Sequence, residues 1–258
     1  MDKITIREVA KRAEVGVGTV SRVLNESPDV SEETRAHVQA VIAELDYIPN
    51  TLARRLSLGR TLMIAVVLPH LTFPSFVERL RGVQHGLDES DYDLVLFSVG
   101  SPAQRDKYFH ELSSRSRADG ILIISLSPDQ EQVARFKRLE VPVVLVDAYH
   151  DELNKVMVDD AQGGELATRH LIELGHREIG FISDYLQTPY RFVSMQQRFN
   201  GFQRAIKEAG MPFHSEWVRE GMHGRAPARR MAHEILEQPQ APTAIFAASD
   251  TQAIGVMD

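Results

Sequence analysis

Two spacings of apolar residues divide the 258-residue chain. In the first sixty residues apolar positions recur every three to four: Ile6, Val9, Ala10 and Ala13 fall at i, i+3, i+4 and i+7, on one face of a helix. Thr5 precedes them and Glu8 follows it three positions later, a capping box that starts this helix. Val20, Val23 and Leu24 give a short middle helix. Val38, Val41, Ile42 and Leu45 give a third, with Ser31 as its N-cap, Glu32 and Glu33 favourably placed in its first turn, and Pro49 beyond its end. Three such helices pool one small apolar cluster, and a domain of that size is only marginally stable.

From Thr61 the pattern changes. Short, continuous apolar runs rich in β-branched residues appear at 62–68, 92–98, 120–125, 142–147, 177–183 and 243–249, separated by helical stretches such as "FVERLRGVQHGLDE" and "GELATRHLIELG". Strands alternating with helices predict βαβ units in parallel, doubly wound sheets, and continuous rather than alternating hydrophobicity predicts strands covered on both faces. In such sheets ligands sit beyond the carboxyl ends of the strands, so the residues just after each run are the candidates for function. No short-period repeat or low-complexity tract interrupts the pattern.

The stretch "EVGVGTVSRVLN", Glu14–Asn25, admits two readings. A dinucleotide fingerprint needs a third glycine and a preceding strand; here Ser21 occupies that place and a helix precedes. A Walker loop needs a Gly-Lys-Ser/Thr that does not follow. What remains is a helix-turn-helix: a first helix over Ile6–Ala13, a turn through Glu14, Val15 and Gly16, and a second helix whose amino end enters a major groove. Three short helices of no particular function would show the same periodicity.

The chain contains no cysteine, which excludes disulfides, zinc-thiolate sites and a cysteine nucleophile and suits a reducing cytoplasm. Its longest apolar run, Leu62–Leu68, is far short of the roughly 20 residues that span a bilayer, and its start carries no secretory segment, so a soluble, cytoplasmic protein is expected. The net charge of −7 argues mildly against nucleic acid, but residues 1–60 hold nine Lys and Arg against nine Asp and Glu, so the acidity lies in the remainder.

The letters "TIREVAKRAEV" and "GTVSRVLN", followed by "VSEETRAHVQAVIAELDYIPNTLARRL", strongly resemble the DNA-binding headpiece and hinge of the lactose-repressor (LacI/GalR) family of bacterial transcription regulators, without a gap through residues 4–60. Downstream, "HLIELGHREIGFI", "RFNGF" and "PTAIFAASDTQAIG" resemble the same family's effector-binding core. The resemblance implies an all-α helix-turn-helix headpiece over 1–48, a hinge helix over 49–60 and an α/β core like the periplasmic binding proteins over 61–258. That core would have two doubly wound parallel-sheet lobes, about 61–160 and 161–258. A family member continues for several dozen residues beyond "SDTQAIGVMD", so the core is expected to be incomplete at its C-terminus, with sheet edges and apolar faces exposed.

Carried over by position, the resemblance implies that Val17, Gly18 and Arg22 face base edges. Arg22 leads, because a guanidinium can donate two hydrogen bonds to guanine, worth about 1–3 kcal/mol of discrimination. Thr5, Thr19, Ser21, Asn25 and Asn50 would donate to phosphates and so fix register without reading sequence. Thr5 also caps its helix; Ser21 and Asn25 could alternatively be solvated polar residues. In the hinge, too short to hold a helix alone in water, Ala53 would let two copies pack closely and Leu56 would wedge into the minor groove and kink the duplex. The alternative is a flexible linker with Leu56 in the core. Arg54, Arg55 and Arg60 either contact phosphates or only keep the linker soluble. The family pattern has glycine where Glu14 stands and serine where Gly16 stands, so the left-handed residue of the turn is expected to move and one phosphate contact to be lost. Gly18 removes a side chain from a reading position at a cost of about 1 kcal/mol of helix stability.

For the effector, the strand-end candidates are Phe73 and Phe76 after the first core strand, Asp147 after the fourth, Arg198 in "RFNGF", and, more weakly, His223 and Ser249. Phe73 stands where the family often has asparagine and replaces a polar contact by an apolar wall; sugars and purines both stack on such rings. Asp147 and Arg198, one acceptor-only and one fork of donors, suit a ligand bearing hydroxyls or a carboxylate. They also suit a strand-end cap and a structural ion pair. Ser249 stands where the family commonly has asparagine, Asp250 beside it reads as an N-cap, and so does Asp160, although Asp159 and Asp160 form a metal pair on paper. No zinc-protease motif, nucleophile elbow or histidine cluster appears, and His176 reads as a structural turn residue.

The expectation is a ligand-responsive transcription regulator, a repressor acting as a homodimer on a palindromic operator, controlled by a sugar or related metabolite, with no catalytic role and no metal or cofactor. Its rivals are a sugar-binding protein of the periplasmic type, which would carry a signal peptide, and a Rossmann enzyme, which would need a glycine fingerprint where "PHLTFPS" stands.

Overall fold

A computed structural model describes residues 4–50, 55, 58–113, 117–187, 190 and 192–258. The chain divides into two compact units, Met1–Leu62 and Met63–Asp258.

The first unit holds α1 (Ile6–Arg12), α2 (Val17–Leu24) and α3 (Glu32–Glu44). Its core is Val9, Ala10 and Ala13 against Val20 and Val23 and against Val38 and Val41, the positions that the helical spacing selects. The capping box forms: the Glu8 carboxylate accepts from the Thr5 N–H at 2.6 Å and from its hydroxyl at 2.9 Å. These two bonds hold the Glu8 carboxyl below its ordinary value of 4.5. Ser31 caps α3 by accepting from the Thr34 N–H. His37 Nε2 donates to the Ala13 carbonyl at 3.1 Å and ties α3 to the end of α1.

All three helices end alike. After α1 the Val15 N–H bonds the Ala10 carbonyl and the Glu14 N–H bonds Lys11, the paired bonds of a Schellman motif. Ser27 and Glu26 close α2 the same way on Arg22 and Val23, and Tyr47 and Asp46 close α3 on Ile42 and Ala43. The left-handed position of each motif favours glycine, yet it carries Glu14 (φ 54°), Glu26 (φ 55°) and Asp46 (φ 47°). The left-handed residue of the helix-turn-helix has therefore not moved, contrary to the expectation from sequence. Closing the Schellman bonds requires that backbone at residue 14 whatever side chain it bears.

The second unit holds two parallel sheets. The first contains β1 (Met63–Pro69), β2 (Asp93–Val99), β3 (Gly120–Ile124), β4 (Val143–Val146) and β5 (Asn154–Val156) in the order β2-β1-β3-β4-β5. Its helices are α4 (Pro74–Leu87), α5 (Pro102–Leu112) and α6 (Gln130–Arg138). The second sheet, in the order β7-β6-β8, contains β6 (Ile179–Asp184), β7 (Val218–Gly221) and β8 (Ala244–Ala247). With it go α7 (Asp160–Glu173), α8 (Ser194–Glu208), α9 (Arg225–Leu236) and α10 (Asp250–Met257). Strands β5 and β7 escape the hydrophobicity pattern because they are short and polar, reading "NKV" and "VREG"; the other edge strands, β2 and β8, carry apolar runs.

The central strands are covered on both faces, as their continuous hydrophobicity predicts. Ala65 and Val67 of β1 pack with Phe109, Phe136 and Leu145, while Val66 and Leu68 pack with Phe76 and Ile124 on the other side. In the second sheet Ile182 faces Trp217, Met231 and Ile235, whereas Ile179 and Phe181 face Phe202 and Ile206. Two glycines set the crossing of α7 and α8. A Cβ on Gly164 would collide with the backbone of Arg198, and one on Gly201 with the backbone of Ala161 and Glu165, so the helices approach as only glycine permits.

Two caps differ from the reading of the sequence by one residue. Asp159, not Asp160, caps α7 by accepting from the Gln162 N–H at 2.8 Å, and Ser249, not Asp250, caps α10 by accepting from the Gln252 N–H at 3.3 Å. In both pairs two polar residues adjoin, and the side chain of the first reaches the N–H that the cap must satisfy.

Relieving the left-handed strain with Glu14→Gly is expected to stabilise the headpiece by about 1 kcal/mol and raise its thermal midpoint by roughly 4–8 °C; an unchanged or lowered midpoint would contradict the strain at residue 14. In α7, Gly163 has open space and Gly164 has none. Gly163→Ala should therefore gain up to about 1 kcal/mol in urea denaturation, while Gly164→Ala or Gly201→Ala loses about 3 kcal/mol or more. Because the folded-state Glu8 carboxyl is lowered, its stabilisation is full above 4.5 and lost as pH falls through the depressed value. The midpoint difference between the wild type and Glu8→Ala should accordingly vanish in strong acid.

Candidate nucleic-acid interface and ligand cleft

The leading end of α2 is open. Gly16 is its N-cap with extended backbone (φ −70°, ψ 149°) and offers no side-chain cap. Val17, the first helical residue, is 42% exposed although it is apolar, and Gly18 beside it is exposed with space around it. Arg22, one turn further, is also exposed; its Nε donates to the Gly18 carbonyl at 3.2 Å, which lays the guanidinium back along the helix toward those two residues. Among the described residues no carboxylate pairs with Arg22. Val20 and Val23, on the opposite side, are buried in the three-helix core. One face of α2 thus holds the helix in place and the other presents Val17, Gly18 and Arg22 together.

Thr19, Ser21 and Asn25 are half-buried along the flank of this face, and Thr5 and Asn50 are exposed. Asn25 is the C-cap of α2, and its Oδ1 is buried without a hydrogen-bond partner. A phosphate, itself an acceptor, cannot satisfy that oxygen, so only the amide nitrogen of Asn25 is suited to one. The Thr5 hydroxyl is already given to Glu8 and must leave it to donate elsewhere. Ala53 and Leu56 lie outside the described residues.

The candidate ligand site is built from strand ends in the second unit. His70 after β1, Ser125 after β3 and Asp147 after β4 all have left-handed backbone, with φ of 47°, 55° and 55°. Three non-glycine residues in that conformation at three neighbouring strand ends are the kind of stored strain that concentrates at binding sites. Asp147 is buried and accepts from Arg79 Nη2 at 2.6 Å and from the Ser125 hydroxyl at 3.3 Å. Arg79, on α4, lies over the ring of Phe76 at 5.6 Å.

Arg198, on α8, is fixed by the glycine crossing against α7. Its Nε and Nη2 both meet Asp160 Oδ1 at 2.7 Å, and its Nη1 donates to the Ala248 carbonyl at 2.6 Å. Burial raises the Asp160 carboxyl above its usual value, against the opposing pull of Arg198. Asp184, at the end of β6, takes His223 Nδ1 at 3.0 Å and Gln252 Nε2 at 2.9 Å. Ser249 is spent on its helix cap and on the Gln252 side chain.

Rings complete the cleft. Phe73 stacks on His70 at a centroid distance of 4.5 Å and on His223 at 4.4 Å. Tyr190 and Phe192 meet His70 edge-on at 6.2 and 5.7 Å. Desolvation lowers the His70 imidazole below its ordinary value, with Asp184 opposing that shift. Phe76 is mostly buried beneath the sheet face and touches this group only by its edge contacts with His70 and Phe73.

Of the residues singled out from sequence, the structure therefore brings Phe73 and His223 into direct contact. It places Asp147 and Arg198 in ion pairs with partners the sequence did not suggest, and it uses Ser249 as a cap. His70, Arg79, Ser125, Asp184, Tyr190, Phe192 and Gln252 were missed, and Asp160, read from sequence as a cap, pairs instead with Arg198. His70 and Asp184 could have been found, since each closes or follows an apolar run; Arg79 and Gln252 sit within helices, where no strand-end rule points. Among the described residues no group of three or more His, Asp and Glu is arranged to hold a metal ion, and no helix is long and apolar enough to cross a membrane.

Residues 5–50 match the family described as "Bacterial regulatory proteins, lacI family", and residues 61–258 match "Periplasmic binding proteins and sugar binding domain of LacI family". The transcriptional repressor PurR of Pectobacterium carotovorum is 34% identical over 257 residues, which span 98% of this chain and 74% of that protein. A crystal structure of the lac repressor dimer bound to operator and the anti-inducer ONPF is similar with a TM-score of 0.84 at 27% identity, covering 99% of this chain and 77% of that one. A complex of the transcriptional regulator CelR with cellobiose gives a TM-score of 0.66 at 30% identity, covering 99% and 77%. With a helix-turn-helix whose second helix is open at its leading end and a parallel-sheet core whose strand ends form a cleft, the chain belongs to the lacI family of bacterial transcription regulators, and its role is regulatory rather than that of a plain periplasmic binding protein.

Proposed function

We propose that the protein represses transcription as a homodimer on a palindromic operator, with the headpiece over 1–48 reading DNA, residues 49–60 as hinge and 61–258 as the effector-binding core. The observation that carries this is the outward face of α2, where Arg22 stands exposed without a carboxylate partner among the described residues beside two positions that offer no polar side chain. Arg22 donates to guanine O6 and N7, while Val17 and Gly18 provide apolar contact and close approach. Thr5, Thr19, Ser21, Asn25 and Asn50 donate to phosphates, and Ala53 and Leu56 serve the hinge pair and its minor-groove wedge. The similar lac repressor structure is that of a dimer on operator DNA, which supports the two-fold arrangement.

The effector is a sugar or related metabolite held among Phe73, Asp147, Arg198 and His223, together with Arg79, Asp160 and Asp184, while Phe76 backs the Phe73 ring and Ser249 acts through its helix cap. The description of the matching core family and the cellobiose complex of the similar regulator support that class. The cleft's chemistry is binding: carboxylates accept hydroxyls, guanidinium groups donate, and rings cover apolar faces, with no catalytic step assigned. Effector binding shifts DNA affinity through the hinge by a coupling energy of about 1–3 kcal/mol. Regulation of this kind takes place in the cytoplasm.

On a palindromic operator selected in vitro, Arg22→Ala should lower sequence-specific affinity by about 1–3 kcal/mol per half-site in a gel shift, with relaxed preference at the contacted base pair. Ser21→Ala should instead weaken specific and non-specific binding alike and, because the lost donor is neutral, leave the salt slope unchanged. A folded dimer that retards specific and random duplexes equally would overturn the proposal.

A further inference from the structure

Phe73 follows β1 of the first sheet, and His223 follows β7 of the second. Their rings nevertheless lie in one stack with His70: His70 to Phe73 at 4.5 Å with 6° between planes, and Phe73 to His223 at 4.4 Å with 23°. Both faces of the phenyl ring are therefore covered by imidazoles, one from each sheet's strand ends.

Each ring is held from its own side. His70 has left-handed backbone (φ 47°), and its carbonyl accepts from the Phe73 N–H at 3.0 Å, which folds the turn so that both rings emerge together. Phe73 is also the N-cap of α4, with extended backbone (φ −73°, ψ 138°) and no capping side-chain bond, so its side chain is committed to the stack rather than to the helix. On the other side His223 is gripped by both oxygens of Asp184, at 3.1 and 3.0 Å, and Asp184 is itself held by Gln252. Gly224, next to His223, has φ 139°, a backbone that glycine alone adopts readily and that completes the turn into α9.

We infer that Phe73 is an intramolecular latch: wedged between His70 and His223, its ring holds the carboxyl ends of the two sheets together and covers the imidazole face of His223. The inference rests on the reading of this cleft as the effector site, and it adds a regulatory step to that site. A ligand that uses the His223 face must first displace Phe73, so ligand entry and separation of the sheets are one event. Aromatic stacking of this kind contributes modestly, enough to bias a cleft shut and little enough to be displaced by a ligand.

The test uses the imidazole C2–H proton resonances of His70 and His223 in the full chain without ligand, assigned through His70→Gln and His223→Gln. Both protons should lie upfield from the ring current of Phe73, and Phe73→Leu should shift both downfield together. Phe73→Tyr, which keeps the ring, should leave both in place, and amide exchange over 221–224 should rise in the leucine variant only. A His223 resonance that does not respond to Phe73→Leu, or a tyrosine variant that shifts as the leucine variant does, would overturn the latch. Because these spectra are recorded without effector, they are indifferent to which ligand binds; the effector reading stands or falls separately on ligand titration.

Discussion

Left-handed backbone at residues that are not glycine is the constraint on which the geometry of both candidate surfaces depends. Each such residue costs about 1–2 kcal/mol relative to a glycine in the same place, and the chain accepts that cost at Glu14, His70, Ser125 and Asp147, at reversals beside both candidate surfaces. At Glu14 the reversal closes the Schellman bonds of α1 and swings α2 across the bundle, so that Val20 and Val23 are buried and Val17, Gly18 and Arg22 face out. At His70, Ser125 and Asp147 it turns side chains into the space beyond the sheet instead of letting the chain run straight on into the next helix. Packing must hold these turns. The Val9 to Val41 cluster holds the first, and the two-sided cover of β1, β3 and β4 holds the others.

Two carboxylates of the cleft are paired with guanidinium groups inside the protein. Asp147 meets Arg79 and Asp160 meets Arg198, each within ordinary hydrogen-bond distance, while Asp184 takes hydrogen bonds from His223 and Gln252. Removing one partner of such a buried pair strands the other in a poorly solvated place, which is more costly than the pair is favourable. The same pairs order the walls. Arg198 reaches Asp160 because Gly164 and Gly201 let α7 and α8 approach, so a packing feature of two helices fixes a charged group at the cleft.

Much of this was legible in the sequence where burial dictates the residue type. The 3.6-residue spacing of Val9, Ala10, Val38 and Val41 located the headpiece helices, and continuous runs such as "MIAVV" located the strands that are covered twice. Strands β5 and β7 were not legible, because an edge permits but does not require polar residues, and "NKV" or "VREG" reads as loop where the edge strands β2 and β8 keep apolar runs. In the site, types and strand ends pointed to Phe73, Asp147 and His223. Which partner each would meet was fixed by long-range packing: Arg79 and Asp147 are 68 positions apart, as are Gln252 and Asp184. The one-residue slips at Asp159 and Ser249 show how two adjacent polar residues conceal which of them caps and which is left for another task.

The exposed guanidinium of Arg22 is tested most directly by pairing a change in the protein with a change in the base. On a selected operator, the contacted guanine is replaced by 7-deazaguanine, which lacks the N7 acceptor, and affinity is measured for the wild type and for Arg22→Ala. The wild type should lose about 1 kcal/mol or more on the modified duplex, whereas the alanine variant, with no donor to lose, should bind both duplexes equally. Equal losses for the two proteins at every guanine of the half-site would mean that Arg22 does not read the duplex.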